Sequence, residues 1–135
     1  MMTTEKDEAM DFQHSDRARE LRDRVAGFIE RHVSPVEHLY DEQASGAGRY
    51  ENPPVLEELK AKARKEGLWN LFLPGDHGAG LSNLEYAPLA EAMGRVEWAS
   101  EVFNCSAPDT GNMEVLSMYG TPAQKEQWLE PLLAG

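Results

Sequence analysis

An all-α fold is predicted by three features of this 135-residue sequence. Glycines and prolines divide it into pieces of helical length, apolar residues recur at three- and four-residue spacing within them, and no run alternates β-branched residues with period two. The expected architecture is a bundle of about six helices.

The first helix is predicted from about Ser15 to Val33, because Leu21, Val25, Phe28, Ile29 and Val33 fall on one stripe and charged residues fill the remaining surface. Ser34-Pro35-Val36-Glu37 then reads as a restart with its own capping box, kinked near Pro35. Ala44 to Asn52, with two glycines and a serine, is predicted as a loop and as the most mobile internal segment. Pro53-Pro54 opens a helix that turns Val55, Leu56, Leu59 and Ala63 inward and ends at Gly67.

Leu68 to Pro74 is too apolar for a solvated loop, although Asn70 interrupts it, and is expected to be a buried connector. Ser82-Asn83-Leu84-Glu85 is a second capping box, with Leu81 placed to staple against Tyr86. Its helix runs to Gly94 with Leu84, Leu89, Ala92 and Met93 partly buried, and Pro88 removes one backbone hydrogen bond. Trp98 to Phe103 is a short helical turn, Asn104 to Pro108 breaks it, and Asp109 is predicted to cap a helix through Met113 and Leu116 to Gly120.

A net charge of −11 argues against nucleic acid and against anionic membrane surfaces, since phosphate-rich partners are held by clustered Lys and Arg. The longest apolar stretch, Leu68 to Leu73, is far too short to span a bilayer. The single cysteine, Cys105, excludes an internal disulfide, and a half-buried structural thiol in a cytoplasmic protein is the simplest reading. Met1 to Asp16 is acidic and polar, so residues 1–16 are predicted to be disordered and 17–135 to form the domain.

Few motifs carry chemistry by themselves. Gly75-Asp76-His77-Gly78-Ala79-Gly80 precedes a helix, but it lacks the lysine and Ser/Thr of a phosphate loop and no strand leads into it, so a sharp turn is expected. His14, His32, His38 and His77 do not complete the paired Glu-x-x-His spacing of a carboxylate-bridged metal bundle, and no metal site is predicted. Cys105 has no histidine near it in sequence to act as a base. The stretch from Phe103 to Met113 places small polar groups and a glycine at a helix break, where either a capped turn or a pocket edge fits.

The closing segment is more specific. Thr121 is a good N-cap, Pro122 suits the first helical position, Gln124 completes a capping box, and Trp128, Leu129, Leu132 and Leu133 follow at helical spacing. Gly120-Thr121-Pro122, Gln124-Lys125, Trp128-Leu129 and Pro131 to Gly135 resemble the segment that closes the N-terminal helical domain of acyl-CoA dehydrogenases. The likeness runs from about Arg17 to Gly135 and is also marked at Gly67-Leu68-Trp69 and Gly80-Leu81-Ser82. The wording Asn104 to Glu114 is most similar to one subgroup, sometimes found fused to kinase-like domains.

The resemblance implies an FAD-dependent oxidoreductase in which a carboxylate takes the α proton of an acyl-CoA thioester while the β hydride passes to flavin. It implies that Phe103, Asn104, Ala107, Pro108 and Gly111 line the acyl pocket, with Met113 near the domain seam. In the family the flavin motif lies in a following β-domain and the base in a second helical domain. Neither is matched here, so this chain is expected to retain no flavin, to hold no catalytic residue, and to be inactive alone. The glutamates are then surface charges or caps, Glu37 and Glu85 among the latter. The expected partners are the missing β-domain and C-terminal helical domain and the acyl-CoA substrate. Self-association is expected through an apolar face bearing Phe103, Met113 and Met118. A non-catalytic helical interaction module derived from the same domain is the alternative, because a shared fold does not by itself fix function.

Overall fold

The computed structural model describes residues 12–46 and 49–135, and among them it contains six continuous helical stretches and no strand. Helix α1 (Asp16–Phe28) runs through a widened turn (Ile29–Val33) and a tightened one (Ser34–Val36) into α2 (Glu37–Gln43). Helices α3 (Pro54–Lys65), α4 (Asn83–Met93), α5 (Ala99–Val102) and α6 (Asp109–Tyr119) follow. The last stretch is α7 (Pro122–Gln124), which passes through a second widened turn (Lys125–Leu129) into α8 (Glu130–Ala134).

Both widened turns lie just ahead of a proline. The Ser34 N–H reaches back five residues to the Ile29 carbonyl, and the Glu130 N–H likewise to Lys125. Pro35 and Pro131 come next; each lacks an N–H and would press its ring on the carbonyl four residues back, which an extra residue in the turn relieves. The predicted restart at Ser34 is corrected accordingly. Ser34 is itself helical (φ −57°, ψ −38°), so neither it nor Glu37 forms the expected capping box.

The expected disorder of residues 1–16 falls mostly outside the described residues, but Ser15 and Asp16 already belong to the helix start: Ser15 Oγ accepts from the Ala18 N–H. Of the loop expected to be mobile from Ala44 to Asn52, Ala47 and Gly48 lie outside the described residues. Gln43 Oε1 accepts from the Val55 N–H at 2.9 Å and closes that loop.

The α1 stripe is buried as its spacing requires, with Val25, Phe28 and Val33 fully enclosed, and α1 packs along α4. The connector Leu68–Leu73 is core, while α3 stops where Gly67 takes φ +70°. In the glycine-rich turn, a Cβ on Gly78 would sit 2.0 Å from the Leu73 carbonyl oxygen, so only glycine closes it. Helix α4 has the predicted Ser82/Glu85 capping box and Pro88 inside it. Leu84, expected partly buried, is 75% exposed. Asp109 is the first residue of α6 and not its cap; Pro108 holds the cap position without a side-chain bond.

Candidate functional site

The segment between α5 and α6 is pinned from below. The Cys105 N–H bonds to the Ser100 carbonyl at 2.9 Å, and the Cys105 thiol donates to the Phe103 carbonyl at 3.3 Å. Burial pushes the Cys105 thiol above its ordinary range and does the same to the neighbouring Tyr86 hydroxyl. The Ala107–Pro108 peptide bond is cis, and α6 begins immediately after it.

Helix α6 borders two hollows. One, of about 270 Å³, lies between α6 and α4, with Phe72, Asn83, Tyr86 and Cys105 on one side and Thr110, Gly111 and Glu114 on the other. The second, an apolar groove of about 540 Å³, is lined by Asn112, Val115, Leu116, Trp128, Pro131 and Leu132.

The six predicted pocket residues separate into two groups. Ala107, Pro108 and Gly111 are exposed, and an added Cβ on Gly111 meets nothing within 4 Å. Phe103 and Met113 are fully enclosed, Phe103 meeting Phe28 edge-on at 5.4 Å, and the Asn104 side chain is turned inward. The expected apolar face is corrected by the same burial. Phe103, edge-on to Phe28 of α1, and Met113 belong to the core, and the exposed large apolar side chains on α6 and the last helical stretch are Val115, Met118, Tyr119 and Trp128.

The sequence reading missed a polar cluster at the end of the last helix. Asn104 Nδ2 donates to Asn70 Oδ1 at 2.7 Å and to the Leu132 carbonyl at 2.8 Å. Asn70 Nδ2 and Trp69 Nε1 both donate to the Leu133 carbonyl, at 3.1 and 2.9 Å, and Arg64 donates to the Ala134 carbonyl. The available signal was Asn70, a lone amide inside an apolar run. Among the described residues there is no group of His, Cys, Asp and Glu able to hold a metal ion, and no helix long and apolar enough to cross a membrane.

Residues 15–135 match the family model for the acyl-CoA dehydrogenase N-terminal domain. The chain belongs to the acyl-CoA dehydrogenase family. It is 52% identical over 129 residues to a probable acyl-CoA dehydrogenase, FadE2, of Mycobacterium tuberculosis, covering 93% of this chain and 31% of that protein. It is 51% identical over 127 residues to mouse acyl-CoA dehydrogenase family member 10, covering 90% of this chain and 12% of that one. A solved structure from Mycobacterium abscessus, described provisionally as an acyl-CoA dehydrogenase, superposes with a TM-score of 0.81 at 54% identity, over 91% of this chain and 33% of that chain. The chain thus spans about a third or less of the length of these acyl-CoA dehydrogenase relatives.

Proposed function

We propose that this chain is the N-terminal domain of an FAD-dependent, cytoplasmic acyl-CoA dehydrogenase and supplies one wall of its acyl cavity. The observation that carries the reading is the family match over residues 15–135 in a chain that covers only a third of its relatives. The wall is formed by the exposed Ala107, Pro108 and Gly111, with Phe103, Asn104 and Met113 backing it from the core.

The residues of the hollow beside Gly111 do not fit a flavin dinucleotide. The hollow beside Gly111 carries Glu114 and no Lys or Arg, so nothing there would meet a diphosphate. Contacts to the flavin and the general base then belong to the β-domain and second helical domain, which are the proposed partners together with the acyl-CoA. The isolated chain is inactive on this reading, and it self-associates through the apolar face of Val115, Met118, Tyr119 and Trp128 unless those domains cover it.

The test is to join this chain to the remaining two domains of an acyl-CoA dehydrogenase and to follow flavin absorbance and dye reduction with acyl-CoAs of graded length. The isolated chain should be colourless and without turnover, and the joined protein yellow and active. Bulky substitutions at Ala107 or Gly111 should then disfavour the longest substrates by roughly 10- to 200-fold per lost methylene of space. Turnover by the isolated chain would defeat the proposal, and an unchanged chain-length preference in both variants would remove these residues from the pocket.

A further inference from the structure

Asn70 and Asn104 are 4% and 5% exposed, and both hold left-handed backbone, φ 53° and 54°. A left-handed non-glycine residue and a buried amide each carry an energetic cost, and such costs persist only where the surroundings over-determine them. Here the surroundings are the end of α8. The Leu132 carbonyl accepts from the Gly135 N–H at 3.1 Å, and the two amides supply further donors that reach Leu132 and Leu133 while bonding to each other. The Asn70 N–H also donates to the Phe103 carbonyl at 3.1 Å, which joins the connector after α3 to the turn before α6.

An apolar seam would tolerate a slide of the helix by a fraction of a turn. A buried amide pair is satisfied in one register only, and leaving it unsatisfied is costly in a low-dielectric interior. We infer that Asn70 and Asn104 form a registration lock that holds the C-terminal end of α8 against the 103–105 turn, so that the helix end and the segment leading to α6 keep one fixed geometry. Both asparagines are positioning residues, acting through α8 and the turn.

Hydrogen exchange of backbone amides in the 135-residue chain tests this with N70G, N104G and the double variant, since glycine keeps the left-handed backbone and removes only the amide. Exchange over residues 130–135 should quicken by about five- to hundredfold in each single variant, the scale of a lost buried hydrogen bond. Amides of α1 and α4 should keep their rates, and the double variant should exceed either single one by no more than about twofold, because the amides act as a pair. N104D, which puts an acceptor against the Leu132 carbonyl, should exchange faster there than N104G. Unchanged exchange at 130–135, equal quickening throughout the bundle, or multiplicative single effects would each overturn the lock. Should the variants fail to fold, the unmodified chain still decides: the side-chain NH₂ protons of Asn70 and Asn104 should be protected from solvent exchange, and fast exchange at both overturns the inference.

Discussion

Ser15 and Glu85 join the starts of two helices that lie far apart in sequence. Ser15 caps α1 by accepting from Ala18, and its hydroxyl donates to Glu85 Oε1 at 2.9 Å, while Glu85 Oε2 accepts from the Ser82 N–H at 3.0 Å to complete the α4 capping box. One carboxylate therefore terminates α4 and anchors α1 to it.

These bonds favour the charged carboxylate, the Ser82 backbone N–H most and the Ser15 hydroxyl next, and hold Glu85 below the ordinary value of 4.5. A lowered folded pKa contributes stability that is present above the unfolded value and lost as pH falls through the folded one. Carbon-detected titration of the Glu85 carboxyl should give a midpoint below 4.5, and S15A should move it upward. A midpoint unchanged by S15A would mean that the cross-helix bond does not persist in solution.

Caps that form and caps that do not should differ in urea denaturation. S82A and T121A each remove an N-cap that accepts a backbone N–H, and should cost about 1 kcal/mol. S34A should stay within about 0.5 kcal/mol of the parent, because Ser34 is helical and caps nothing.

Burial assigns opposite outcomes to two residues once grouped on one face. F103A empties an enclosed site against Phe28 and should cost about 3–5 kcal/mol. M118A, at a side chain 60% exposed, should stay near the parent in stability and weaken any self-association seen by ultracentrifugation at high salt, where repulsion between chains of net charge −11 is screened. Comparable destabilisation by both would contradict the placement of Phe103.

Cys105 should resist thiol reagents. It is 8% exposed and its thiol is pushed upward chiefly by burial, so little thiolate forms near neutral pH. Labelling should rise to the rate of a free thiol only in denaturant, and rapid labelling of the native chain would show that the segment between α5 and α6 opens.

The all-α class, the helix pieces and two of the capping boxes were legible in sequence because they depend on local chemistry: a Ser, Thr or Pro at a helix start, a Glu or Gln three residues on, and an apolar stripe at the helical period. The family likeness was legible for a similar reason, being carried by contiguous stretches such as Thr121 to Gly135. Tertiary structure decided the rest. Ser34 looks like Ser82 in its four-residue window, yet the helix from α1 continues past it through a widened turn that accommodates Pro35. Phe103 and Met118 are both large apolar residues near α6, and only tertiary packing, with Phe103 edge-on to Phe28 of α1, encloses one and leaves the other in solvent. Asn70 and Asn104 read as an interruption and a helix break; their pairing is set by the arrival of the end of α8 between two loops, a contact between distant parts of the chain that no local pattern encodes.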